Sequence, residues 1–241
     1  MAKKGLLALV LAAFVAGGVF AQDIRFSAGG GFIFDGGRVG GIGFEDRDEW
    51  TGGWEEWEDL MFVRHSGFGG FVFLDATFAE LAISFMGGPA VFGGRGSWSD
   101  SDGDSGTWHE GMFGSFLALD FSLLGRFPVA VGDGNLSIFP LLGIGFNVVL
   151  ASRDANGDGI FDEMGYYDEF DHGPTSLSTF RIQFGAGADI DIADNVFLRI
   201  QGLAHYRFPA SFFNDTDLWG NDANPRGGFG GTAKIGIGFR F

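Results

Sequence analysis

The sequence closes with Phe229-Gly230-Gly231-Thr232-Ala233-Lys234-Ile235-Gly236-Ile237-Gly238-Phe239-Arg240-Phe241, and this stretch decides the fold class. Its odd positions are all apolar or small, whereas its even positions hold glycine, threonine, lysine or arginine. Successive side chains of a β-strand point to opposite faces. The alternation therefore predicts a strand with one apolar face and one small or charged face.

The same alternation recurs upstream. Segments 180–192 and 196–208 follow it, and the turn residues Ala193-Asp194-Asn195 between them predict a hairpin. Further strands are predicted at 23–34, 67–74, 78–86, 112–124 and 135–149. The chain is therefore predicted to be all-β, with eight strands.

The predicted connections alternate in length. Short turns fall near 75–77, 125–134 and 192–195, whereas long loops occupy 35–66, 87–111, 150–177 and 209–228. An even strand number, with both chain ends on the short-turn side, is typical of a transmembrane antiparallel up-and-down β-barrel of the bacterial outer membrane. A closed barrel also pairs every backbone group and exposes no sheet edge to lipid. The four long loops are then predicted to be extracellular.

Composition and charge exclude several classes of protein. The 241 residues include 44 glycines and 6 prolines but no cysteine, which is unlike a compact helical enzyme or a disulfide-linked domain. A hydrophobic fraction of 46% also excludes a disordered chain. The net charge of −16 argues against nucleic acid as a partner, because phosphate binding needs an excess of Lys and Arg.

Residues 1–21 have the pattern of a cleaved secretory signal peptide. Lys3 and Lys4 precede an apolar stretch over 5–18, and Val19-Phe20-Ala21 supplies the small residues that cleavage requires. Together with Val19 and Phe20 the apolar stretch has about 16 residues, and it is shorter than a helical membrane span. We expect cleavage near Ala21, which leaves 22–241 as one barrel domain.

The charge distribution favours a membrane barrel over a soluble sandwich or a lipocalin-like barrel, which show the same alternation. After residue 21, the four long loops hold 23 acids and 6 bases, whereas strands and short turns hold 8 acids and 7 bases. Charge on a lipid-facing strand is costly, so a nearly neutral wall fits a chain whose partner is outer-membrane lipid.

The predicted export signal, the eight strands, the long loops and the closing segment 234–241 resemble the small outer-membrane β-barrel proteins typified by the OmpA transmembrane domain, OmpX and OmpW. The resemblance is one of architecture over the whole mature chain, and it transfers no functional residue. It implies localisation in the bacterial outer membrane. It also implies that Phe239 and Phe241 form the terminal aromatic signal that the barrel-assembly machinery reads.

The charged strand faces are predicted to line the lumen. They carry Arg25, Glu80, Asp120, Arg181, Asp189, Asp191, Arg199, Arg207, Lys234 and Arg240. Eight strands enclose a space just wide enough for side chains or one small ligand, and buried charges are normally paired. We therefore predict an ion network. Lumen-side glycines such as Gly187 and Gly238 leave room, so a narrow channel for small solutes or hydrophobic compounds is the alternative.

The long loops are the predicted site of function. The first loop is acidic and rich in tryptophan, and all six tryptophans of the chain lie in long loops. Tryptophan is favoured both at membrane interfaces and at binding hot spots. We predict a non-enzymatic barrel that presents acidic, aromatic loops to ions, matrix or host molecules, or that contributes to the envelope. His65 beside Ser66 supplies no third catalytic group, so no enzyme is predicted.

The third long loop carries a calcium-like motif. Its candidate ligands are the side chains of Asp154, Asn156, Asp158 and Asp162 and the backbone carbonyl of Ile160. Gly159 fits the turn position, but Gly165 stands where a bidentate glutamate closes a calcium loop. A solvated acidic turn is the alternative. Asp100, Asp102 and Asp104 repeat the spacing without the glycine.

Overall fold

The computed structural model describes residues 25–50, 53–132, 134–154, 174–210 and 224–241. This part of the chain is all-β and antiparallel, with one short 3-10 helix at Pro174–Leu177. None of its helices has the length and apolar character needed to cross a membrane. The predicted signal peptide, 1–21, lies outside the described residues.

The described strands form one antiparallel sheet. They are β1 (Phe26–Trp50), β2 (Gly53–Ala76), β3 (Ala79–Asp100), β4 (Ser105–Arg126), β5 (Val129–Val131), β6 (Leu136–Asp154), β7 (Thr179–Ala193), β8 (Val196–Arg207), β9 (Asn224–Arg226) and β10 (Gly228–Arg240). The sheet runs β1-β2-β3-β4-β6-β7-β8-β10, and β10 pairs with β1 from Ser27↔Arg240 to Gly37↔Gly230. The sheet therefore closes on itself as a barrel.

The number of strands differs from the predicted eight. The described residues form ten, because β5 pairs with β6 and β9 pairs with β1 as additional three-residue strands. Three residues are too few to show a period of two, so the sequence pattern gives no signal for either.

The outer face of the wall is apolar. Phe32, Phe68, Phe113 and Phe229 are 70–76% exposed. The apolar band, as we call it, consists of the outward-facing residues of 26–36, 68–76, 81–89, 113–127, 138–150, 180–192, 196–208 and 229–241. No Asp, Glu, Lys or Arg faces outward within these described stretches. Segments of nine residues or more match the length of a tilted membrane-spanning strand.

The predicted loops 35–66 and 87–111 are largely paired strand. β1 and β2 stay paired out to Trp50↔Gly53, with a one-residue shift of register between Arg38 and Gly40, and β3 and β4 stay paired out to Ser99↔Ser105. Strand pairing needs only backbone hydrogen bonds, whereas the prediction relied on apolar alternation, which these extensions lack. Of the other two loops, 155–173 and 211–223 lie outside the described residues.

The two ends of the barrel differ. At the short-turn end, Thr77-Phe78 joins β2 to β3 and Asp194-Asn195 joins β7 to β8. The described chain also begins and finishes here, since the Phe241 N–H donates to the Phe26 carbonyl at 3.0 Å. The opposite end, where β1–β2 and β3–β4 extend beyond the apolar band, is the hairpin end.

Candidate functional site

The interior of the barrel holds a charge-balanced set of buried side chains. The buried acids are Asp35, Asp75, Glu80, Asp120 and Asp189, and the buried bases are Arg126, Arg181, Arg199, Arg207 and Lys234. Five formal charges of each sign lie inside the barrel, whereas the outward face of the apolar band is uncharged. The alternation of side chains along a strand places them there, because each lies at an inward-facing position of its strand.

The Asp35 cluster lies toward the hairpin end of the lumen. Asp35 accepts hydrogen bonds from Arg181 Nη1 at 3.2 Å, from Arg207 Nη2 and from Thr232 Oγ1 at 2.5 Å. His65 Nε2 lies 2.7 Å from Asp35 Oδ1. Arg181 also donates to Asp120 at 2.6 Å. One carboxylate thus joins side chains from β1, β2, β7, β8 and β10.

The Arg199 cluster lies toward the short-turn end. Arg199 donates two parallel hydrogen bonds to Asp189, from Nε at 2.7 Å and from Nη2 at 2.8 Å. Its Nη1 is 3.0 Å from Glu80 and 2.5 Å from Asp75. Arg126 donates to both Asp75 and Asp189. Two-pronged contacts of this kind are the strongest that a guanidinium makes with a carboxylate.

Lys234 lies between the two clusters. Its Nζ is 4.0 Å from Glu80 Oε1 and 3.5 Å from Ser122 Oγ. The ammonium also lies 5.4 Å from the centre of the Phe71 ring. Lys234 therefore contacts the Arg199 cluster, and on β10 it lies two residues from Thr232 of the Asp35 cluster.

Aromatic rings fill the space beside the lumen-side glycines. A Cβ on Gly187 would stand 2.3 Å from the Phe139 ring, and one on Gly238 would stand 2.2 Å from the Phe197 ring. Both rings are completely buried, and the Arg199 guanidinium lies 4.9 Å from the Phe197 ring centre. These glycines admit aromatic rings into the lumen, so they do not leave the free room on which the channel alternative was based.

A small cavity remains near the Asp35 cluster. It has a volume of about 20 Å³, and Val63, His65, Phe116 and Arg207 are among the residues that line it. A volume of this size holds about one water molecule. The cavity is too small for a solute the size of a sugar or an amino acid.

The ten predicted lumen charges take three different positions. Seven are buried inside: Glu80, Asp120, Arg181, Asp189, Arg199, Arg207 and Lys234. Asp191 and Arg240 pair with each other at 2.6 Å and are partly exposed at the short-turn end. Arg25 is exposed there, outside both clusters, because it precedes the first residue of β1.

Several residues of the network were missed by sequence reasoning. Asp35 and His65 fell within a predicted loop, and Asp75 and Arg126 fell within predicted turns. The signal that could have found Asp35 is that it has the same parity as Ile33. This parity places the Asp35 carboxylate on the inward face of β1, which continues beyond the predicted strand 23–34. His65 and Ser66, neighbours in sequence, face opposite sides of the wall, since His65 is buried and Ser66 is exposed.

The calcium motif lies almost wholly outside the described residues, which include only the backbone of Asp154. No group of three or more His, Asp or Glu within the described part of the chain is arranged to hold a metal ion. Asp100 Oδ1 accepts hydrogen bonds from the backbone N–H groups of Asp102 and Asp104 at 3.0 and 2.9 Å. That carboxylate therefore shapes the turn between β3 and β4.

No protein-family profile matches the chain, and no curated protein sequence does either. Among solved structures, the translocator domain of the autotransporter NalP from Neisseria meningitidis has 13% identity and a TM-score of 0.25, covering 100% of this chain and 96% of that one. The β domain of the Bordetella autotransporter BrkA has 11% identity and a TM-score of 0.25, covering 85% and 98%. The InvG secretin β-barrel from Salmonella has 10% identity and a TM-score of 0.21, covering 95% and 66%. Scores this low do not establish a shared fold, and the barrel follows from the chain's own strand pairing.

Proposed function

We propose that this protein is a non-enzymatic β-barrel of the bacterial outer membrane, whose rigid wall presents its long hairpins and loops outside the membrane. The observation that carries the proposal is the reversed polarity of the wall. Large apolar side chains face outward around the band, while charged side chains are buried and paired within. In water this arrangement exposes a continuous apolar surface that soluble monomers rarely show. In lipid it is the favourable one.

The network in the lumen favours a scaffold over a channel. A path through the barrel would have to separate Arg181 from Asp35 and Asp120, or Arg199 from Asp189 and Glu80. Breaking a buried pair by removing one partner typically costs about 3–5 kcal/mol, because the other charge is left uncompensated. We therefore infer a lumen that stays closed at rest.

Assembly by the barrel-assembly machinery is part of this proposal. Phe239 and Phe241 are 53% and 78% exposed on the apolar face at the short-turn end. An exposed terminal aromatic pair is accessible to a machinery that reads it before the barrel is complete. Calcium bound by the 154–162 motif, and an extracellular ligand of the loops, stay predictions.

Reconstitution tests the proposal. The full chain is refolded into phosphatidylcholine vesicles, and its migration in a detergent gel is compared before and after boiling. We expect the unheated protein to migrate faster, because a closed barrel stays compact. Failure to associate with vesicles would contradict the membrane assignment.

Conductance across a planar bilayer then separates scaffold from channel. The inserted protein is expected to give no steady single-channel steps. Steady steps would instead support the narrow channel for small solutes or hydrophobic compounds.

A further inference from the structure

Four arginines gather on the outer surface at the hairpin end. They are Arg38 on β1, Arg64 on β2, Arg95 on β3 and Arg226 on β9, and we call them the arginine patch. Their strands are neighbours in the order β9-β1-β2-β3. Arg64 lies two outward positions beyond Phe68, a residue of the apolar band that is 73% exposed. The patch therefore begins where the apolar band ends.

Two of these arginines oppose each other directly. Arg38 and Arg64 are register partners on antiparallel strands, a position in which like charges destabilise the pairing. Both guanidinium groups converge on one ring, at 5.9 and 4.8 Å from the centre of Phe62. Pairing of the strands thus holds two cations together that would otherwise move apart.

The Arg38 guanidinium is only partly satisfied. Its Nε donates to the Gly40 carbonyl at 3.2 Å, while its buried Nη2 has no hydrogen-bond partner among the described residues. Partial burial lowers the pKa of Arg38, which lies beyond the apolar band, and the further contributions come from the cations Arg64, Arg226 and Arg95. The patch thus concentrates positive charge around a guanidinium that is only partly satisfied by hydrogen bonds.

The patch contrasts with the arginines of the lumen. Arg126, Arg181, Arg199 and Arg207 each form an ion pair with a buried carboxylate. Among the described side chains, no carboxylate pairs with any member of the patch. Because the whole chain carries a net charge of −16, a local excess of cations is not a general property of its surface.

We propose that the arginine patch binds the phosphate group of an anionic membrane lipid in the leaflet at the hairpin end. Guanidinium groups match phosphate oxygens in two-pronged geometry and carry their charge at every physiological pH. A cation cluster next to the apolar band lies at headgroup depth, where basic side chains bind anionic headgroups. A phosphate there would offset the repulsion between Arg38 and Arg64. The inference rests on the membrane location proposed above.

Lipid binding to the full chain tests this inference. The protein is refolded in a neutral maltoside detergent and titrated separately with dioleoylphosphatidic acid, with dioleoylphosphatidylcholine and with inorganic phosphate, and bound molecules are counted by native mass spectrometry. We expect phosphatidic acid to bind in preference to phosphatidylcholine. Arg64→Gln combined with Arg95→Gln should weaken that binding about tenfold or more, since charge-assisted hydrogen bonds are lost.

Matched controls come from exposed arginines elsewhere. Arg153 is an exposed arginine on β6 beyond Leu150, at the same end as the patch, and Arg25 is exposed at the opposite end. Arg153→Gln and Arg25→Gln should bind phosphatidic acid as the unchanged protein does. An equal loss in either control would show nonspecific attraction and overturn the inference.

Other outcomes separate this inference from the proposed function. Equal binding of both lipids, unchanged binding by the double variant, or inorganic phosphate that competes at the same concentration as the lipid would overturn the lipid site. Heat-dependent migration, recorded for each variant, shows whether the barrel is closed. Loss of lipid preference in a protein that still inserts into vesicles rejects the patch alone, whereas failure to insert rejects the membrane location.

Discussion

At Gly187 and Gly238, the absence of a side chain allows aromatic rings to fill the lumen. Each allows a phenylalanine ring to approach the wall to a distance that a Cβ would forbid. The Phe197 ring beside Gly238 in turn lies 4.7 Å from the Arg240 guanidinium and 4.9 Å from that of Arg199. Aromatic packing and the ion network therefore depend on each other.

Gly238→Val is expected to destabilise the barrel. The new side chain displaces the buried Phe197 ring, and overpacking of this kind costs about 1–3 kcal/mol. The measurement is the urea midpoint of unfolding in vesicles. Gly202→Val is the matched control, because a Cβ on Gly202, which faces outward, meets nothing within 4 Å. Equal midpoints for the two variants would show that the ring does not need this glycine.

In its cluster, the Asp35 carboxylate forms ion pairs with both Arg181 and Arg207. Asp35→Asn removes the charge that faces Arg181 and Arg207, so we expect a loss of about 3–5 kcal/mol in unfolding free energy, the typical cost of breaking a buried pair. Asp191→Asn, in the partly exposed pair with Arg240, should cost only about 0–1 kcal/mol. Similar losses in both variants would mean that burial does not govern these pairs.

Among the elements, the strands of the wall were the most predictable. An apolar outward face opposite a polar inward face gives a period of two to segments such as 180–192 and 229–241. Beyond the apolar band the same strands continue without it, so Asp35 and His65 were assigned to a loop. The sequence alone also did not show which lumen charges pair with each other. Arg181 and Asp120 are 61 positions apart, and only strand order and register bring them together.

The 154–162 segment leads to a prediction at the level of an element. If its oxygen atoms bind calcium, millimolar Ca²⁺ should protect this segment from protease, because binding stabilises the ordered state. Mg²⁺ should protect it poorly, since it demands a stricter octahedral geometry. Asp158→Ala should abolish the protection while heat-dependent migration is unchanged. Equal cleavage with calcium, magnesium and chelator would leave this segment as an acidic turn.

For the whole molecule, the difference between the hairpin end and the short-turn end allows the orientation of the barrel in the membrane to be tested. Ser101 lies in the exposed turn between β3 and β4 at the hairpin end, and Asp194 lies in an exposed turn at the short-turn end. Because the native chain has no cysteine, Ser101→Cys and Asp194→Cys each introduce a single thiol. On intact cells, a membrane-impermeant maleimide should label the first and not the second. The reverse pattern would place the hairpins in the periplasm.

The contact between β1 and β10 also governs the order of folding. It pairs Ser27 with Arg240, almost the full length of the described chain apart. Until the last strand arrives, β1 keeps an unpaired edge, and Asp35 lacks its contact with Thr232. An edge of unpaired N–H and C=O groups cannot be satisfied by hydrocarbon. In the proposed membrane location, β1 can therefore satisfy its backbone groups only after β10 has been synthesised and has paired with it.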